Sequence, residues 1–216
     1  MGSNPKLKEE VARFREWTQT YPTEEHFGEW ECDYPDWEPL YRAVLDFVGS
    51  IPPAYWTPEE WDGVLYAIAR DNEDGYLAES IGEQHPQIIA PLAAAALEQG
   101  EAQARWQFAV ELGKSGQLSA PVESLLLRMA GDADEYVRRR ALMELARLQS
   151  PLTEELALAA WQQPHENQQW ARMAALWSLN RIHSPLLERL MIEAEADDRS
   201  YLSAYALQLR RGEMEE

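Results

Sequence analysis

Four histidines, His26, His85, His165 and His183, are scattered along the chain, and no two stand three or four residues apart. That spacing is what sets two imidazoles on one helix face for a metal, so these four read as capping or surface residues beside turns and prolines. A single cysteine, Cys32, excludes an internal disulfide and a thiolate zinc cage. Gly113-Lys114-Ser115-Gly116 has the lysine and hydroxyl of a phosphate loop but lacks the upstream glycine and the preceding strand. No Gly-x-Ser-x-Gly and no cysteine–histidine constellation occurs, and no spacing singles out two carboxylates as acid and base. Catalysis has no foothold in these residues. The chain reads as a non-enzyme that uses no cofactor and no metal.

Acids and rings are what the sequence concentrates. There are 38 acidic against 19 basic residues, a formal net charge of −19. Between positions 21 and 83 stand 16 acidic residues and two basic ones, Arg42 and Arg70, a local net of −14. A field of one sign repels nucleic-acid phosphates and anionic lipid and attracts a basic protein surface. Acidity also keeps an aromatic-rich chain soluble, but its confinement to one third of the sequence argues for a surface with a task. Phe27, Trp30, Tyr34 and Trp37 interleave there with Glu29, Glu31, Asp33, Asp36 and Glu38, while Trp56 and Trp61 flank Glu59, Glu60 and Asp62. Carboxylates steer lysine and arginine, and rings give them burial and cation–π contact.

Further on, Tyr76, Tyr136, Trp170 and Tyr201 occupy one position of a repeat, with Trp106 in the copy where Gln103 takes that place. Rings in such a row either stack from repeat to repeat or offer low-entropy contact area to a partner. The candidate partner-binding residues are therefore Glu29, Trp30, Glu31, Asp33, Tyr34, Asp36, Trp37, Glu59, Asp62, Tyr76, Trp106, Tyr136 and Trp170.

These residues have to be positioned by helices. Leu7, Val11, Phe14 and Trp17 share one face of a helix predicted over 5–20, and a second is predicted over 37–48, stopped by Pro52-Pro53. Thr57-Pro58-Glu59-Glu60 is a helix start, with threonine as N-cap, proline at N1 and glutamate at N3. Prolines 86, 121, 151 and 185 open further first helices, and Gly100, Gly131 and the acidic turns at 71–74 and 197–198 separate each from its partner. The predicted pairs are 57–70 with 74–84, 86–98 with 101–113, 120–130 with 134–148, 152–162 with 167–181, and 185–196 with 199–210. Nothing alternates with period two, so the fold is all-α.

Taking Leu77, Ala104, Val137, Ala171 and Leu202 as equivalent gives steps of 27, 33, 34 and 31 residues, a helical repeat. Val137, Ala141, Leu145 and Leu148 form the stripe that packs on the paired helix. Arg105, Arg138 and Arg172 recur just after the first apolar residue, preceded by Glu101, Asp134 and Gln168 as caps. Each arginine is expected to bridge to the acidic turn of the adjacent repeat.

Asp134-x-x-Val137-Arg138-x-x-Ala141-x-x-x-Leu145, preceded by a proline-started helix, resembles a HEAT repeat of the kind shared with phycobilisome-lyase-like repeats. The resemblance covers about 57 to 210. It implies a right-handed α-solenoid of about five HEAT-like helix pairs, the array at 57–216 continuous behind an N-terminal helical cap at 1–56. HEAT-like DNA glycosylases share the repeat but need a basic concave face, which the acidic balance opposes. HEAT-type deoxyhypusine hydroxylases need several His-Glu pairs, and only His165-Glu166 exists here. Lyases that attach bilins find no specific support in these residues.

Small, acidic, single-domain solenoids are similar to the HEAT-type immunity proteins of bacterial polymorphic toxins. The function expected is accordingly a protein-binding module that neutralises a basic partner, such as a toxin or nuclease domain. A general adaptor scaffold is the alternative. The longest apolar run, 88–97, is too short to span a bilayer, nothing resembles a signal peptide, and the expected location is cytoplasmic.

Overall fold

The computed structural model describes residues 4–20, 33–163 and 169–213. Among these residues the regular structure is entirely helical: α1 (Pro5–Thr20), α2 (Trp37–Ser50), α3 (Pro58–Arg70), α4 (Tyr76–Gln84), α5 (Pro86–Gln99), α6 (Ala102–Lys114), α7 (Ala120–Ala130), α8 (Glu135–Arg147), α9 (Thr153–Gln162), α10 (Gln169–Arg181), α11 (Leu187–Glu195) and α12 (Ser200–Arg211). A 3-10 turn, Pro53–Tyr55, follows α2 where the prolines end it.

Local chemistry sets these ends. At α3 the Thr57 hydroxyl accepts from the Glu60 N–H at 3.3 Å, and the Glu60 carboxylate accepts from the Thr57 N–H at 2.8 Å and the Asn4 N–H at 2.9 Å. Asp134 caps α8 by accepting from the Val137 N–H at 3.1 Å. Glu101 makes no such cap; its carboxylate pairs with Arg70 instead. Pro151 and Pro185 lie in turns, and α9 and α11 begin two residues after them.

The chain forms two compact units, 1–115 and 116–216. In the first, α1 packs on α2 and α3, α3 on α6, α2 on α4, α4 on α5, and α5 on α6. The helices thus fall into two rows, α1-α3-α6 and α2-α4-α5. Strict alternation fails at α4 and α5, which sit side by side in one row with only His85 between them. As a result α3 meets α6 far more than α4, the partner the sequence assigned it, and the departure falls at the short 27-residue step. Phe14, Leu40, Phe47, Ile68, Leu77, Ile81, Leu92 and Phe108 fill the space between the rows. Each such aliphatic or aromatic side chain contributes about 1.5–3 kcal/mol by leaving water.

In the second unit α7 pairs with α8, α9 with α10 and α11 with α12, while α8, α10 and α12 stand side by side. Val137, Ala141 and Leu145 are fully buried on α8, as the predicted stripe requires. Ala141, Ala174, Ala175 and Ala206 are buried small residues that let these second helices approach. Two successive turns in this unit use the same device. Gln149 (φ 58°) and His183 (φ 53°) end α8 and α10 in the left-handed region, and the following N–H of Ser150 or Ser184 reaches back to Leu145 O or Leu179 O, each at 2.9 Å. The Ser150 hydroxyl then donates to Glu123 at 2.7 Å and the Ser184 hydroxyl to Glu154 at 2.6 Å. Each turn is thereby tied to the first turn of the helix one pair earlier.

Candidate functional site: an acidic cleft walled by rings

In the first unit, rings from α1, α2 and α4 form one connected group. Trp37 and Tyr41 are four apart on α2, hence on one face, and stack at 5.1 Å with 21° between planes. Tyr41 continues to Tyr76 at the start of α4, at 4.8 Å. On the other side Phe14 holds Tyr34 at 4.5 Å and Trp37 at 5.0 Å, and Trp17 holds Tyr34 at 5.2 Å. Such contacts add about 0.5–1.5 kcal/mol per pair to the area buried, which fixes the rings in place.

Facing these rings is the turn from α3 to α4, Asp71-Asn72-Glu73-Asp74-Gly75. Its two buried residues anchor it. Asp71, 3% exposed, accepts from the Tyr41 hydroxyl at 2.7 Å and from the Leu77 N–H at 2.6 Å. Burial outweighs those bonds and pushes the Asp71 carboxyl up from its ordinary range, with Asp74 adding to the effect. Asn72, also buried, accepts from the Trp106 indole N–H at 3.0 Å. Gly75 closes the turn with φ 61°, a conformation that disfavours any side chain. Anchored this way, the turn presents Glu73 and Asp74 to solvent.

Between rings and turn lies a cleft of about 350 Å³, lined by Asp33, Tyr34, Trp37, Tyr41, Arg70 and the turn residues 71–74. Its lining has four carboxylates and one guanidinium. That guanidinium is already engaged: Arg70 pairs with Glu101 and lies over the Tyr66 ring at 4.1 Å. A second hollow of about 200 Å³ continues past Glu73 and Asp74 to Glu79, Glu111 and Lys114. There Lys114 bridges Glu79 at 2.9 Å and Glu111 at 2.8 Å, and burial raises the Glu111 carboxyl.

The sequence candidates divide sharply. Glu29, Trp30 and Glu31 lie outside the described residues. Asp33, Tyr34 and Trp37 come together at the cleft, while Tyr76 stands behind it, tilted against Tyr41 and outside the lining. Asp36 is exposed at the start of α2, and Glu59 is exposed in the first turn of α3; neither lines the cleft. Asp62 is paired with Arg15 at 2.6 Å. Two rings are not surface rings at all: Tyr34 is 4% and Trp106 8% exposed, because the first is enclosed by Phe14, Trp17 and Trp37 and the second is pinned to Asn72. Burial, together with Asp36 and Glu10, raises the Tyr34 phenol, and its Oη is buried with no hydrogen-bond partner.

Tyr136 and Trp170 belong to the second unit. Tyr136 is covered by the Arg139 and Arg140 guanidiniums at 4.6 and 5.0 Å and accepts from Arg140 Nε at 3.1 Å. Trp170, 39% exposed, packs on Tyr201 at 5.6 Å.

The repeated arginines also serve backbone groups, which the expectation did not include. Arg105 donates to Gly100 O at 2.5 Å, and Arg138 to Asp132 O and Ala133 O at 2.7 and 2.8 Å. Both serve carbonyls of the turn inside their own pair, the groups a helix end leaves unsatisfied. Arg172 reaches the next acidic turn, Asp197 at 3.1 Å, while also donating to Trp161 O. Tyr41, Asp71, Glu73 and Asp74 were missed as site residues. The available signal was an aromatic four residues after Trp37 and three acids within four positions.

Among the described residues no group of three or more His, Cys, Asp or Glu could hold a metal ion, and no helix is long and apolar enough to cross a membrane. No curated protein matches the chain. Residues 122–208, wholly within the second unit and less than half of the chain, match the HEAT repeats family model, a family of helix pairs that serves protein–protein interaction.

Proposed function

We propose that this chain is a non-enzymatic protein-binding module that takes a partner with a basic surface at the cleft of its first unit. The carrying observation is the arrangement of Asp33, Glu73 and Asp74 around rings that their own contacts hold rigid. Fixed rings lose little entropy on contact, and carboxylates beside them raise the encounter rate with a cation-bearing surface. The helix-pair architecture and the HEAT repeats match support protein binding as the general activity. The charge supports a basic partner, and within that class an inhibitor of the immunity type, acting in the cytoplasm on a toxin or nuclease domain.

The test is pull-down with mass spectrometry, using the wild type and an Asp33→Asn/Glu73→Gln/Asp74→Asn variant. The captured protein is basic, its association slows as salt rises, and the variant loses most of the capture. Equal capture by the variant moves the site elsewhere. Co-expression with the captured protein separates the two roles: rescue of a poisoned cell identifies an inhibitor, and growth without any toxicity identifies an adaptor.

A further inference from the structure

We infer that the cleft between the α2 rings and the 71–75 turn is a socket for one arginine side chain of the partner protein, an inference that rests on the reading of the cleft as the partner site. Four features of the walls point to a flat cation. First, the cleft wall carries the Trp37 and Tyr41 rings, stacked on each other and held by Tyr76 tilted against Tyr41, and a guanidinium packs on aromatic surface more readily than a hydrated ammonium does. Second, Asp33, Glu73 and Asp74 are exposed carboxylates at the cleft, suited to the parallel N–H forks of arginine. Asp71 is excluded from that task because it is buried and serves Tyr41 and Leu77.

Third, Arg70, the cation of the lining, is turned to Glu101 and Tyr66, so the negative charge of the other three acids is left to a ligand. Fourth, and independent of the acids, Tyr34 walls the same cleft while nine-tenths buried and with its Oη unpartnered. A buried hydroxyl without a partner carries a desolvation penalty, and an N–H donor relieves it once a shift of the Tyr34 ring brings the enclosed Oη to the cleft. An apolar side chain would strand the carboxylates, and an anion would be repelled.

The decisive experiment follows the Trp37 indole N–H by 1H–15N correlation spectroscopy, assigned with Trp37→Phe, while the full chain is titrated with acetyl-Gly-Arg-Gly-amide. Parallel titrations use the lysine and citrulline tripeptides and spermidine. The arginine tripeptide gives a saturable shift, the uncharged citrulline isostere binds at least tenfold more weakly, and lysine and spermidine also bind more weakly. Glu73→Gln/Asp74→Asn weakens arginine binding at least fivefold, whereas Glu59→Gln, outside the cleft, leaves it unchanged. Glu59, Glu73 and Asp74 are exposed, so these substitutions keep the fold, and Trp37→Phe serves only to assign the resonance. Equal or tighter binding of citrulline, lysine or spermidine overturns the inference, as does an unmoved Trp37. If the captured partner still binds in a salt-sensitive, Asp33/Glu73/Asp74-dependent way while Trp37 ignores the arginine tripeptide, the socket fails and the partner site stands. If the partner also ignores those substitutions, both fall.

Discussion

Replacing Ser184 by alanine removes two bonds at a place water does not reach. The hydroxyl donates to Glu154 at 2.6 Å and accepts from the Leu186 N–H at 3.1 Å, and Ser184 is 7% exposed. A hydrogen bond to a carboxylate is worth about 1.5–3 kcal/mol, and a cap-like bond to a helix-start N–H about 0.5–1 kcal/mol. Glu154 is only half-buried and regains water, which trims the first figure toward its lower end. Ser184→Ala is therefore expected to cost about 2 kcal/mol. Ser150→Ala, with the Glu123 bond at 2.7 Å and a longer Leu152 N–H bond at 3.3 Å, should cost slightly less.

The two devices share no residue, so the double variant should lose the sum, roughly 3–4 kcal/mol. Urea unfolding followed by far-ultraviolet circular dichroism reads this as a lower midpoint at unchanged slope. Ser203→Ala is the control, since its hydroxyl makes only long contacts to Arg199 O and Ser200 O at 3.4 and 3.3 Å. Losses below about 0.5 kcal/mol at Ser150 and Ser184, or no larger than at Ser203, would refute the claim that these serines fix one helix pair on the previous one.

His183 holds φ 53° without being glycine and is exposed, so His183→Gly should raise stability by about 0.5–1 kcal/mol in the same assay. Asp197 is lowered from 3.8 to about 2, first by its hydrogen bonds from Arg199 and further by Arg172. A depressed carboxylate stabilises the fold above its ordinary value, and that contribution disappears as pH falls through the folded-state value. About 1–2 kcal/mol, discounted for solvent screening, should thus be lost between pH 4 and pH 2, and Asp197→Asn should flatten that part of the stability–pH curve. Trp106→Phe removes the donor to the buried Asn72 Oδ1 and should cost about 1–2 kcal/mol by thermal unfolding; a neutral result would mean the 71–75 turn is not anchored there.

The helices were legible because their boundary residues act locally. Thr57, Pro58 and Glu60 cap α3 by contacts within one turn, and Asp134 does the same for α8. The row assignment of α4 and α5 was not legible. Pro86 reads as another first-helix start, and nothing near it records that α3 packs on α6 across more than thirty residues. The same limit explains Trp106, whose acceptor is 34 positions away. The carbonyl contacts of Arg105 and Arg138 were not legible, because a side chain beside an acidic turn suggests an ion pair, whereas carbonyls are groups every sequence has and none advertises. A third of the candidate cleft lining was visible as Asp33, Tyr34 and Trp37. The rest, Tyr41 and Arg70 with Asp71 to Asp74, was visible only as helix positions and a turn. Ser-Pro-Leu recurring 34 residues apart was visible too, but only its proline was used.

The central claim is that the acids beside the rings steer and hold a basic partner. The most direct measurement is the association rate of the captured partner at rising ionic strength, for the wild type and for Asp33→Asn/Glu73→Gln/Asp74→Asn. Removing three charges at the contact should lower the rate about tenfold or more at low salt and flatten its salt dependence, as electrostatic steering requires. Identical rates and identical salt slopes for the two proteins would contradict the account.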